Sequence, residues 1–181
     1  WSSSYTSKAI PAAEMREWVE TTAARICALK PRRVLEIGSG TGLLVARVAP
    51  HCERYVATDF SPAAGAAIRH LQSVRDDLSS VETRQLTADQ LGELASERFD
   101  LVIINSVAQY FPDQAYFLTV LQTAAGLLDK GGRIFLGDLR SLPLLEAFHS
   151  SVQLAQADNN LSLTALHERV QQRIELEEDL L

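Results

Sequence analysis

The residues of this chain whose types and spacing can do chemistry are glycines at 38, 40 and 42, flanked by carboxylates at 36 and 59. In VLEIGSGTG, residues 34–42, an apolar run broken only by Glu36 gives way to glycines, and Leu43, Leu44, Val45 and Ala46 then resume at helical spacing. That pattern is a buried strand, a tight turn and a helix start. Glycine lets the backbone bend sharply and approach a ligand where a Cβ would intrude. A second apolar run, Tyr55 to Thr58, leads into Asp59, about twenty residues beyond the first glycine, where an acid at a strand end can hold both hydroxyls of a ribose. The spacing Gly38-x-Gly40-x-Gly42 is not the dinucleotide pattern, and no Gly-Lys-Ser/Thr follows as in a phosphate loop. Glu36 argues further against pyrophosphate, which a carboxylate beside the turn would repel. A nucleoside carrying positive charge suits the site better.

On these residues the chain resembles the class I S-adenosylmethionine-dependent methyltransferases: VLEIGSGTG is similar to their first motif and ATDFS, residues 57–61, to their second. Within that family it looks most like the domains embedded in modular polyketide synthases and nonribosomal peptide synthetases. The stretches that carry this closer likeness are SYTSKAIPAAEMREW, VAPHCERYVATDFSP, INSVAQYFPD, GGRIFLGDLRSLPLLEAFHSSVQLAQA and RVQQRIELEEDLL. The resemblance implies S-adenosyl-L-methionine as cofactor, held by Glu36, Gly38, Gly40, Gly42, Asp59 and Phe60. It places Ala88 and Asp89 at the adenine, although Asp89 serves equally well as a cap for a helix over Gln90–Ala95. Asn105 and Ser106 then border the methionine half, while Gln109 and Tyr110 face the substrate side, Tyr110 being equally at home in a core beside Phe111. Tyr5 is either a lid contact over the cofactor or a ring packed on the first helix.

The resemblance also singles out His149. Imidazole titrates near neutrality and can take a proton from an attacking hydroxyl; the plainer alternative is a hydrogen-bonded structural histidine. A downstream glutamate orients the histidine in related domains, and Glu177 in LEEDLL is the best match, with Glu178 beside it. His51 and His70 sit in polar company and carry no assigned role, and no metal site is read.

The elements that must position these residues alternate between helix and strand. Helical spacing of Met15, Trp18, Val19, Ala23 and Ile26 predicts a helix over 12–29, opened by Pro11; the polar stretch before it reads as an end free to fray. Strands are expected at 34–37, 55–58, 81–86, 101–104 and 133–138. Helices are expected at 43–49, from Ser61-Pro62 toward Val74, at 90–95, at 115–128, through 144–152 and over 162–181. Lys130-Gly131-Gly132 reads as a turn. Leu101-Val102-Ile103-Ile104 is the apolar run of a strand covered on both faces of a parallel sheet. The fold class is therefore α/β, a Rossmann-like doubly wound, mostly parallel sheet. Five strands are read where the family usually adds an antiparallel edge, so the last two are expected to be missing. The chain divides on this reading into an N-terminal segment and helix (1–30), a cofactor-binding core (31–140) and C-terminal helices at the start of a substrate region (141–181).

Composition bounds the rest. With 181 residues and 46% hydrophobic content, one domain with a sizeable core is expected. A formal charge of −6 argues against a nucleic-acid surface. Cys27 and Cys52 read as buried thiols in a reducing cytoplasm, not as a redox pair. Neither a signal peptide nor the roughly eighteen apolar residues of a membrane span is present. The expected function is methylation of a carrier-tethered intermediate, most simply on a β-hydroxyl or enol oxygen with His149 as base. An N-methyltransferase acting on an aminoacyl thioester, or a non-catalytic structural domain, are the alternatives. An acyl or peptidyl carrier protein and neighbouring synthase domains are the expected partners.

Overall fold

The computed structural model describes residues 1–177; Glu178 and the expected helical stretch up to Leu181 lie outside the described residues. Two compact units are present: Arg16–Leu139, and Trp1–Met15 together with the chain from Arg140 on. This differs from the expected three-part division, because the N-terminal segment groups with the C-terminal helices and not with the core.

The larger unit is a parallel sheet of five strands, β1 (Arg33–Ile37), β2 (Arg54–Asp59), β3 (Val81–Gln85), β4 (Phe99–Asn105) and β5 (Leu128–Gly137), in the order β3-β2-β1-β4-β5. Side chains alternate across it. Val34, Leu101 and Ile103 face a core shared with Ala23 and Ile26 of α1 (Ala12–Cys27), Val45 and Val48 of α2 (Val45–Val48) and Ile68 of α3 (Pro62–Val74). Leu35, Ile37, Val102 and Ile104 face the opposite core, with Leu91 and Leu94 of a short 3-10 helix (Ala88–Leu94) and Val120 and Ala124 of α4 (Gln114–Gly126). Covered on both faces, the central strands are largely apolar, with Glu36 in β1 and Asn105 at the end of β4 as buried polar exceptions. The order reverses between β1 and β4, and in such sheets ligands sit at the carboxyl ends of the strands beside that reversal.

Several boundaries depart from the sequence reading. The expected helix over 43–49 is reduced to α2 and a 3-10 turn at Ala49–His51, and the stretch 90–95 lies within the 3-10 helix. Thr87, not Asp89, caps that helix: its side chain accepts from the backbone of Gln90 while the Gln90 side chain returns to the Thr87 backbone. Ser61 precedes α3 without a side-chain cap. Lys130-Gly131-Gly132 is part of β5, as an irregularity at which the register with β4 jumps from Phe99↔Leu128 to Leu101↔Arg133 and Gly131 takes φ +84°. Both cysteines are free, and burial pushes the Cys52 thiol up to about 12. Among the described residues no helix is long and apolar enough to cross a membrane.

The smaller unit contains α5 (Leu145–Gln156) and α6 (Leu163–Glu175). Its N-terminal segment is tied down and not frayed. Ser2 pairs with Ala9, Gln156 Nε2 donates to the Ser4 carbonyl at 2.7 Å, and the Tyr5 and Ser151 hydroxyls meet at 3.0 Å.

Candidate active site

In a parallel sheet every strand ends on the same edge, so the segments after β1 to β5 are gathered there by topology. The turn after β1 is built from backbone that only glycine adopts freely: Gly38, Gly40 and Gly42 have φ of +75°, +52° and +82°. The end of β2 holds it. The Thr58 carbonyl accepts the N–H groups of Gly38 and Ser39 at 2.8 and 2.9 Å. Asp59 spreads its carboxylate between two amides, Oδ2 accepting from Gly40 and Oδ1 from Ser61, each at 2.8 Å. The Ser61 amide serves this bond in place of the expected cap. A Cβ added at Gly38 would lie 2.5 Å from Val107 Cγ2, whereas at Gly40 it would meet nothing within 4 Å. Gly38 is thus required by packing against the segment after β4, and Gly40 opens onto free space.

Glu36 is buried. It is 4% exposed and its Oε2 accepts the Tyr55 phenol at 2.8 Å. Burial pushes its carboxyl up to about 8, opposed by the Tyr55 bond and assisted by nearby Asp59. Burial thus favours the neutral form of Glu36 in the folded chain, in contrast to the fixed negative charge beside the turn that its place in the sequence suggests. Phe60 is 71% exposed, and its carbonyl accepts from Gln85 Nε2.

At the ends of β4 and β5, Asn105 is buried and its Nδ2 donates to Ser106 Oγ at 3.0 Å. Ser106 Oγ in turn donates to Asp138 Oδ2 at 2.7 Å. Ser106 and Asp138 both hold φ of +57°, a conformation strained for a residue with a Cβ. Gln109 Nε2 donates to the Ser106 carbonyl at 3.1 Å, while its Oε1 is buried without a partner among the described residues. Tyr110 is 76% exposed, so the core alternative for it is not what the structure shows. Asp138 was not singled out from sequence. Its position next to a strand end, matching that of Ser106 beyond β4, is the signal that would have found it.

Beyond β3, Ala88 and Asp89 open the 3-10 helix. Asp89 lies below the usual carboxylate range, held there by Thr87, its own backbone amide and the Tyr116 hydroxyl. No local pattern marks Tyr116, which arrives from α4.

Tyr5, His149 and Glu177 all belong to the smaller unit. His149 is 7% exposed on α5, and its Nε2 lies 3.0 Å from Glu177 Oε2. The structure brings this pair together across 28 positions of chain. Arg140 Nη1 donates to the same carboxylate oxygen at 2.9 Å and stacks over Phe148, 5.0 Å from the ring centroid. A carboxylate on one ring nitrogen selects a tautomer: in the neutral imidazole Nε2 carries the proton and Nδ1 is the acceptor.

A family model described as a methyltransferase domain matches residues 35–134. Chondramide synthase cmdD of Chondromyces crocatus is 49% identical over 183 residues, covering 99% of this chain and 5% of that protein. The probable non-canonical nonribosomal peptide synthetase CymA of Salinispora arenicola is 41% identical over 153 residues, covering 84% of this chain and 2% of that protein. The chain thus spans a small fraction of the length of the curated relatives it matches. Among solved structures, the N-methyltransferase NodS from Bradyrhizobium japonicum WM9 is similar in fold, with TM-score 0.62 and 24% identity over 87% of this chain and 83% of that one. Its complex with S-adenosyl-L-homocysteine has TM-score 0.62 and 20% identity over 87% of this chain and 73% of that one. A glycine turn locked to an acid at the end of the next strand, on a doubly wound sheet whose residues 35–134 match the family model, establishes that this chain belongs to the methyltransferase domain family.

Proposed function

We propose that this chain is an S-adenosylmethionine-dependent methyltransferase domain of a peptide-assembling synthetase, and that its acceptor is the amine of an aminoacyl group carried as a thioester on a carrier protein. The observation that carries the cofactor is the cradle at Gly40: a left-handed glycine open to space, with both Asp59 oxygens fixed beside it. Each carboxylate oxygen keeps a lone pair for a ribose hydroxyl. Gln109 Oε1, buried and without a partner among the described residues, offers a further acceptor near the end of β4. The fold shared with NodS, solved with S-adenosyl-L-homocysteine, supports the same choice. The nitrogen acceptor is supported by the kinship with CymA, named as a peptide synthetase.

Bound there, S-adenosylmethionine supplies an electrophilic methyl group on a positively charged sulfur. The chain's residues do the rest by positioning. Asp59 takes the sugar hydroxyls, Ala88 and Asp89 the edge of the base, and Asn105 and Ser106 border the amino-acid half. His149, its Nε2–H given to Glu177, takes at Nδ1 the proton that an ammonium must lose before its lone pair can attack. A second reading, transfer to a β-hydroxyl or enol oxygen, is favoured by the same His149–Glu177 pair, since a hydroxyl needs a base.

The test is incubation with S-adenosylmethionine and aminoacyl, β-hydroxyacyl and β-ketoacyl pantetheine thioesters, weighing each product. A methyl on the aminoacyl thioester is expected; methylation of the hydroxyacyl substrate alone would replace this reading with the second. Absence of saturable heat on titration with S-adenosylmethionine would sink both. His149→Ala is expected to lower kcat by roughly 100-fold or more while leaving cofactor affinity unchanged, and retention of full rate would remove the base from the scheme.

A further inference from the structure

Asp89 is clasped by a single hydroxyl from another element. Tyr116 Oη donates to Asp89 Oδ1 at 3.1 Å and accepts the Asp89 backbone N–H at 3.2 Å. Tyr116 is itself fixed. Its amide donates to Asp113 Oδ1, the cap of α4, at 2.8 Å, and its ring meets Phe111 edge-on with centroids 5.1 Å apart. On the other flank, Gln90 Oε1 accepts the Thr87 amide at 3.0 Å and the Thr87 hydroxyl at 2.9 Å. An exposed aspartate at the first turn of a short 3-10 helix would ordinarily sample several rotamers. Here Tyr116 Oη holds both the backbone and the carboxylate, and Thr87 bonds the carboxylate as well, so the side chain is restricted in direction.

That direction matters because of where the sheet delivers the residue. β3 lies beside β2 with Gln85 opposite Asp59, and the Leu86 amide donates to the Asp59 carbonyl at 3.1 Å. Residues 87–89 therefore emerge next to the acid assigned to the sugar, on the side away from β1 and β4. A nucleoside with its sugar at Asp59 and its other half toward β4 presents its base to this segment.

We infer that Tyr116 is a positioning residue for base recognition: its hydroxyl orients Asp89 so that the carboxylate accepts an N–H of the purine 6-amino group, selecting adenine over purines lacking that amine. The inference rests on the proposed assignment of S-adenosylmethionine to this site. Two charge states agree with it. Asp89 is lowered from its ordinary range and so is an acceptor at neutral pH. Tyr116 is raised, by burial first and then by Asp89, and so remains a donor.

The experiment is calorimetric binding of S-adenosylhomocysteine and of its analogue with hydrogen in place of the 6-amino group, to the 181-residue chain and its variants. The unaltered chain is expected to prefer the amino compound by roughly ten-fold, the size of one hydrogen bond to a charged group. Tyr116→Phe keeps the ring against Phe111 and removes only the hydroxyl. It is expected to reduce the preference to about two-fold by weakening the amino compound alone, with an unfolding midpoint close to the parent's. Equal weakening of both ligands, or an undiminished preference, overturns the inference. Asp89→Ala separates the two layers of argument. If it abolishes the preference while Tyr116→Phe does not, the adenine assignment stands and the role of Tyr116 falls. If it leaves the preference intact, the adenine assignment falls and takes the role of Tyr116 with it.

Discussion

Glu36 shows at the scale of one residue how a group chosen for its charge is used without it. A carboxyl at 4% exposure loses most of its hydration, so the neutral form is favoured and the group is pushed up to about 8 in spite of the Tyr55 phenol. Between its ordinary range near 4.5 and about 8 the folded chain binds a proton that the unfolded chain does not. Stability therefore falls as pH rises through that window and levels off above it. Glu36→Gln keeps an oxygen for Tyr55 and removes the titration. The expected result is a variant whose stability changes less between about pH 5 and pH 9 and exceeds the parent's at the alkaline end by on the order of a few kcal/mol. Thermal unfolding at several pH values checks this, and parallel curves for the two proteins would refute it. The type and place of Glu36, the glycines and Asp59 were legible in the sequence because each sits at or near the end of an apolar run, the first four around β1 and its turn and Asp59 at the end of the next strand. The partner that binds Glu36 was not, because Tyr55 reaches it from the adjacent strand, 19 positions away. Asp89 and Tyr116 repeat the lesson at 27 positions.

At the scale of elements, the turn after β1 is shaped by two demands that separate cleanly at neighbouring glycines. Gly38→Ala introduces a Cβ 2.5 Å from Val107 Cγ2, so overpacking of about 1–3 kcal/mol adds to the roughly 1–2 kcal/mol of left-handed strain. Gly40→Ala carries the strain alone, since its Cβ meets nothing within 4 Å. Measured side by side, the first variant is expected to lose the larger part of its stability. The second should lose about 1–2 kcal/mol, and its affinity for S-adenosylhomocysteine should fall at least ten-fold because the new methyl stands where the ligand lies. Equal affinities for the parent and Gly40→Ala would mean that the cradle faces something else. The elements themselves were readable where one pattern dominates: 101–104, and 34–37 apart from Glu36, are apolar because both faces are covered. Reading failed where pattern and geometry part. Lys130-Gly131-Gly132 has turn composition yet continues β5, since a local irregularity absorbs the extra residues without ending the pairing. The N-terminal segment is polar enough to read as loose, and only distant bonds from Ser151 and Gln156 show that it is held.

For the whole molecule, strand order is what turns scattered motifs into one edge. Nothing local in the sequence dictates β3-β2-β1-β4-β5; the family likeness implied a doubly wound sheet but no strand order, and right-handed crossovers between parallel strands narrow the orders open to such a sheet. The order sets the turn after β1 against the segment after β4 at the reversal, with β2 and β3 continuing the edge on one side and β5 on the other. A ligand held by residues on several strands cannot stay bound once the sheet comes apart, so its binding energy adds to the energy of opening the sheet. At a free concentration a hundred times Kd that addition is about 2.7 kcal/mol. The amides of Val34–Ile37 and Leu101–Ile104, central in the sheet and buried on both faces, exchange through the largest openings. Saturating S-adenosylhomocysteine is therefore expected to slow their hydrogen exchange by about a hundred-fold. Amides that exchange by fraying within α6 should keep their rates, because such fraying leaves the sheet and its bound ligand intact. Slowing confined to residues 38–42, with β1 and β4 unchanged, would show a ligand resting on the turn alone and would contradict a site shared among the strands.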